Sequence, residues 1–193
     1  MINIMFTSAG RRVELIQEFI RARNEKNIDG KIVCTDMSEL APALYFADKA
    51  YTVPSIHDPN YLKELLDICK KEQIRVIIPT IDTELEILAD NVSIFREIGT
   101  ELLISSPETV KISQDKMRTF HFFKSIGLRT PESYIQGMEY QGKFPCFIKP
   151  NYGSSSINAF KVKNQMELDF FKYYIGDYII QDFIEGPEYT IDI

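Results

Sequence analysis

The sequence predicts an α/β protein built in two parts. Short apolar runs alternate with amphipathic stripes through the first hundred or so residues, a strand, loop, helix and strand follow after residue 114, and proline, glycine and capping residues punctuate both. Ile2-Asn-Ile-Met-Phe6 reads as the first strand, and the segment behind it sets Val13, Ile16 and Ile20 on one helical face. Lys31-Ile-Val-Cys-Thr35 repeats the strand pattern and ends at Asp36. Leu62, Leu65, Leu66 and Cys69 form the next stripe, and Val76-Ile-Ile-Pro79 the third core strand. Leu85, Leu88, Ala89, Val92 and Phe95 make one more stripe before Glu101-Leu-Leu-Ile104. Strands separated by such helices favour a parallel sheet with right-handed crossovers. This part ends near Ser113, because Ser105-Ser-Pro-Glu108 opens a short helix and Asp115 caps the next. The expected division is 1–113 and 114–193.

The second part carries the chemistry. Pro145-Cys-Phe-Ile148 is a short apolar strand that ends on Lys149 and is stopped by Pro150. Asn151-Tyr-Gly-Ser-Ser-Ser156 follows, and small side chains at Gly153, Ser154, Ser155 and Ser156 let main-chain N–H groups approach a polyphosphate. Ile157-Asn-Ala-Phe-Lys-Val162 alternates like a return strand, which makes the loop a flap over a ligand. No Walker-type G-x-x-x-x-G-K-[ST] is present. Asn164-Gln-Met-Glu167 has capping-box spacing ahead of a helix with Met166, Phe170, Phe171 and Tyr174, stopped at Gly176. Strand Tyr178-Ile-Ile180 runs into Gln181 and Asp182, and Glu188 follows the Gly186-Pro187 turn, where a carboxylate accepts from both hydroxyls of a ribose.

Composition narrows the class. At 45% hydrophobic and 26% charged, 193 residues bury a real core. A net charge of -6 argues against nucleic acid as the main partner, since phosphate backbones select clustered Lys and Arg. No apolar run approaches the roughly 18 residues of a membrane span, and no basic n-region precedes a cleavable apolar stretch, so no membrane partner and a cytoplasmic location are expected. Cys34, Cys69 and Cys146 are embedded in apolar segments and read as reduced core residues. His57 and His121 belong to no metal-spaced constellation.

Thr7-Ser-Ala-Gly-Arg-Arg12 and Asp36 occupy the places of a phosphate loop and a ribose-binding acid in dinucleotide folds, but of the three expected glycines only Gly10 is present. A Rossmann-type dinucleotide-binding protein is thus one alternative, and a non-catalytic nucleotide-binding regulatory module is another.

The succession of strand, flap, helix and strand resembles the ATP-grasp superfamily and, within it, the large subunit of carbamoyl-phosphate synthase. The resemblance runs over nearly the whole chain; Gln114-Asp-Lys-Met-Arg-Thr-Phe120 with Ile126-Gly-Leu-Arg-Thr-Pro131 is its most specific stretch. It implies a Rossmann-like pre-ATP-grasp domain at 1–113 and the first portion of a truncated α+β ATP-grasp domain at 114–193. It also implies that Lys116 and Lys149 hold the α- and β-phosphates of ATP, and that Gly153, Ser154, Ser155 and Ser156 close over the β- and γ-phosphates. Gln181, Asp182 and Ile184 would line the adenine edge, Ile184 through its backbone, and Glu188 would bind ribose. Gln181 and Asp182 stand where many relatives carry Glu and Lys. Magnesium is implied with ATP, its ligands expected beyond residue 193, so no metal ligand or catalytic residue is assigned. Arg11, Arg12, Asp36 and the Thr80-Ile-Asp-Thr-Glu84 turn, with Asp82 in it, either face an acceptor substrate or are a helix cap at Thr83 or Asp82 and a solvated arginine pair. The implied activity is that of an ATP-dependent carboxylate–amine or carboxylate–thiol ligase working through an acyl phosphate, with this portion inactive alone. Its partners would be small-molecule carboxylates and amines, and a homo-oligomer is left open.

Overall fold

A computed structural model describes residues 1–153 and 156–189. The chain divides into two compact units, Met1–Val110 and Lys111–Ile193. In the first, β1 (Asn3–Thr7), β2 (Ile32–Asp36), β3 (Lys49–Thr52), β4 (Ile74–Pro79) and β5 (Glu101–Leu102) form a parallel sheet in the order β3-β2-β1-β4-β5. Successive side chains of a strand point to opposite faces, so Met5 and Phe6 serve different cores. Met5 joins Tyr61, Leu65 and Ile68 of α2 (Tyr61–Lys71), Leu88 of α3 (Leu85–Ala89) and Phe95 of α4 (Val92–Glu97). Phe6 joins Ile16 of α1 (Val13–Glu25) and Ala43 and Leu44 of the 3-10 turn Pro42–Phe46. Both faces being covered explains why β1 and β2 read as near-continuous apolar runs. Each fully buried large side chain in these cores contributes roughly 1.5–3 kcal/mol.

Three features depart from the sequence reading. The stripe from Leu85 to Phe95 is two short helices, interrupted at Asp90 and Asn91, where the Asn91 amide donates to the Ile87 carbonyl at 2.8 Å. The apolar side is kept across the break, since Leu88, Ala89 and Phe95 are all buried. The expected strand Glu101-Leu-Leu-Ile104 pairs only through Leu102, because it is an edge and Leu103 already faces solvent. β3 carries no apolar signal, being mostly exposed at the opposite edge with Lys49 at its start, a common way of blunting a sheet edge.

The dividing line falls within α5 (Pro107–Gln114). In the second unit, β6 (Ser133–Ile135), β7 (Cys146–Pro150), β8 (Phe160–Val162) and β9 (Tyr178–Asp182) form an antiparallel sheet in the order β6-β9-β7-β8. One face buries Cys146, Ile148, Val162 and Ile180 against Leu168, Phe171 and Ile175 of α7 (Gln165–Ile175). On the other, Ile179 meets Met117 and Phe120 of α6 (Lys116–Ser125). β7 and β8 make the expected hairpin, but β8 begins only at Phe160, because Ser156 and Asn158 adopt left-handed backbone that a strand cannot contain. The three cysteines are free and buried; burial pushes Cys34 and Cys69 up to about 12 and Cys146 to about 11, which leaves inert thiols. Among the described residues no helix is long and apolar enough to cross a membrane.

Candidate functional site

β7 delivers Lys149. Because Cys146 and Ile148 are buried on the α7 side, Lys149 projects from the opposite face, beside its register partner Ile179, which packs on α6. α6 delivers Lys116 as its first residue, so both lysines serve the same side of one sheet. Each is half-buried. Burial lowers the proton affinity of Lys149, and the charge of Lys116 lowers it further; burial also lowers that of Lys116, against an opposing pull from Asp115. Lys149 thus lies within the field of Lys116. Among the described residues the Lys149 ammonium has no hydrogen-bond acceptor. The Lys116 ammonium donates to the main-chain oxygens of Asn151 at 3.1 Å and Gly153 at 2.9 Å.

The amino end of α6 offers no free amide to a ligand. Lys116 N–H donates to the Asn151 carbonyl at 3.2 Å, Met117 N–H to Asn151 Oδ1 at 3.1 Å and Arg118 N–H to Asp115 Oδ1 at 2.9 Å. Asp115 is the cap expected from sequence, and its other oxygen accepts from the Tyr152 hydroxyl at 2.9 Å. Burial pushes the Asp115 carboxyl up, but donors from Arg118, Tyr152, Asn151 and Met117 outweigh it and hold the group below its ordinary value. An anion here meets side-chain ammonium groups, one of them lacking a partner among the described residues, and that donor set fits a polyphosphate. Gly153, at φ +109°, has open space where a side chain would stand, and Ser156 follows in left-handed backbone. Ser154 and Ser155 lie outside the described residues, as do positions 190–193 of the segment following Glu188.

Gln181 and Asp182 are split by the pleat. Gln181 lies on the Lys149 face, opposite Ser133, and donates from Nε2 to the Ser133 hydroxyl at 2.7 Å. Asp182 faces the other way and accepts from the Tyr140 hydroxyl at 3.2 Å. With Ile184, Tyr134, Phe144 and Phe183 it lines a cavity of about 600 Å³ that neither lysine borders. Ile184 and Glu188 are exposed. Among the described residues no group of three His, Cys, Asp or Glu side chains is placed to hold a metal ion.

In the first unit, Asp36 is buried and both of its carboxylate oxygens are engaged, by Gly10 N–H at 2.8 Å and Ser38 N–H at 2.9 Å. It organises the turn instead of presenting a free acid to a ribose. Arg11, Arg12 and Asp82 are exposed. The carboxylate turned inward is Glu84, fully buried, which accepts from Ser8 Oγ at 3.0 Å, the Tyr61 hydroxyl at 2.8 Å and Thr80 N–H at 3.0 Å. Glu84 thereby ties the turn after β1 to the turn after β4. Sequence reading took Glu84 only as the end of a substrate-facing Thr80–Glu84 turn, whereas its side chain is buried, and it gave Asn151 and Tyr152 no role of their own.

A family profile described as "PylC-like, N-terminal domain" matches residues 4–103, and one described as "ATP-grasp domain" matches residues 113–193. The chain is 27% identical over 178 residues to the 3-methyl-D-ornithine–L-lysine ligase of Methanosarcina acetivorans, an alignment covering 92% of this chain and 45% of that one. The chain thus spans less than half the length of that relative. Among solved structures, the L-amino acid ligase from Bacillus licheniformis superposes with a TM-score of 0.74 at 15% identity, covering 97% of this chain and 45% of the other. The biotin carboxylase domain of the Hydrogenobacter thermophilus 2-oxoglutarate carboxylase, solved with MgADP and bicarbonate, superposes at 0.69 with 18% identity over 96% of this chain and 45% of that one. At these identities the two structures speak to the fold alone. Parallel sheet, antiparallel sheet with its lysine-bearing hairpin, and both profile matches agree: the chain belongs to the ATP-grasp family, with a PylC-like N-terminal domain ahead of its ATP-grasp domain.

Proposed function

We propose that this chain supplies the nucleotide-binding part of an ATP-dependent ligase that joins a small-molecule carboxylate to an amine through an acyl phosphate. The observation that carries this reading is the half-buried Lys149 ammonium, without an acceptor among the described residues and within the field of Lys116. ATP supplies the phosphoryl group that turns a carboxylate oxygen into a leaving group. Lys149 and Lys116 bind and orient the phosphates and offset charge on the transferring group in a partly water-excluded site. Gly153 and Ser156 lie against the phosphates, Gln181 on the Lys149 face and the Ile184 backbone border the base, and Glu188 holds the ribose. The name of one relative, a 3-methyl-D-ornithine–L-lysine ligase, favours an amino acid as substrate. Three free, buried cysteines suit a reducing cytoplasm.

Calorimetry with ATP and with NAD tests the reading. Saturable ATP binding that Lys149→Ala weakens is expected. NAD binding that ATP does not displace would overturn it.

A further inference from the structure

We infer that Asn151 is a positioning residue for the phosphate-binding lysine pair, clamping the first turn of α6, and with it Lys116, onto the end of the strand that presents Lys149. The inference rests on the function proposed above. Three consecutive residues behind β7 each grip the start of α6. Asn151 accepts from Met117 N–H through its side chain and from Lys116 N–H through its carbonyl. The Tyr152 hydroxyl donates to Asp115, and the Gly153 carbonyl takes the Lys116 ammonium. Asn151 is 3% exposed although it sits in a loop between two strands, and its amide also faces the Asp115 carboxylate. A loop asparagine is ordinarily solvated, and this degree of burial, with its hydrogen bonds among the described residues directed at one helical turn, marks a joint.

The joint matters because the two lysines come from different elements. Lys149 is two residues from Asn151 along the chain, and Lys116 is fixed to Asn151 by main-chain and side-chain bonds across 35 positions. Without the side-chain bond, Met117 N–H loses its acceptor and the helix end is free to shift on the loop. The Lys116 ammonium then no longer stands at a set distance from Lys149, and a ligand bridging both must restore that distance on binding. The adenine and ribose side of the ligand does not depend on this joint.

Calorimetric titration of ATP and of adenosine into wild type, Asn151→Ala, Lys116→Ala and the double variant tests the assignment. Asn151→Ala is expected to weaken ATP about tenfold while adenosine changes by less than about twofold, and to have no further effect once Lys116 is gone. Tyr152 is exposed, so Tyr152→Phe is safe for folding; it is expected to weaken ATP about threefold with the same dependence on Lys116. Equal losses for ATP and adenosine, or losses that multiply in the double variant, would mark Asn151 as merely structural and overturn the inference. If Asn151→Ala does not fold, Tyr152→Phe decides by the same criteria. Wild-type protein that binds no ATP would overturn the functional reading and this inference with it, whereas ATP binding sensitive to Lys116 but indifferent to Asn151 and Tyr152 would overturn the inference alone.

Discussion

Lys149 holds its proton less tightly than an ordinary lysine, first because it is buried and second because it lies in the field of Lys116. The folded state therefore releases this proton at a lower pH than the unfolded chain, whose lysine titrates near 10.5. Below the folded value the unfavourable burial of charge is fully present; as pH rises through that value toward 10.5, the unfolded chain binds more protons and the pair's contribution to stability rises. Nucleotide affinity moves the opposite way, since only the protonated amine attracts phosphate. Stability and ATP affinity, each measured as wild type minus Lys149→Met, are thus expected to change in opposite directions over the alkaline range. In Lys116→Met the midpoint of the affinity loss moves up, because the second cause of the shift has been removed.

Lys149→Ala is expected to weaken ATP binding by roughly 1.5–3 kcal/mol, the scale of a charge-assisted hydrogen bond. Adenosine binding should be unaffected. Calorimetry reads both, and an equal loss for both ligands would place the lysine outside the phosphate site.

Ile148 precedes Lys149 on β7 and is fully buried against the opposite core. Ile148→Ala is expected to destabilise the protein by about 2–5 kcal/mol, through lost burial and the cavity left behind. Urea denaturation followed by circular dichroism measures it.

Glu84 accepts three hydrogen bonds in a fully buried position. Glu84→Ala leaves the buried Tyr61 hydroxyl without that acceptor and is expected to cost about 2–4 kcal/mol, while Tyr61→Phe, which removes one donor, costs about 1 kcal/mol. Burial first, and Glu84 second, push the Tyr61 hydroxyl far above its ordinary range. Its ultraviolet ionisation signal should appear only when the protein unfolds.

Elements with a periodic signal were legible in the sequence. β1, β2 and β4 alternate with amphipathic helices, and the helix caps at Asp115 and Asn164 act through side chains as their spacing predicts, accepting from Arg118 and Glu167 N–H. Lys149 was legible because an apolar strand ending in lysine before a small-residue loop is an unusual sequence. β3 and β6 were missed, since an edge strand with one or two buried positions carries almost no pattern. The burial of Asn151 and Glu84 was not legible for another reason: a polar residue after a strand looks like loop, and its burial is decided by partners 34 and 76 positions away. The opposite facing of Gln181 and Asp182 follows from the strand pleat alone, once β9 is known to extend through Asp182.

The most direct measurement is a crystal structure with a non-hydrolysable ATP analogue. The nitrogens of Lys116 and Lys149 should both lie about 3 Å from phosphate oxygens of one analogue, with the Lys116 ammonium moved off the Gly153 carbonyl. An analogue whose phosphates touch neither lysine would contradict the assignment.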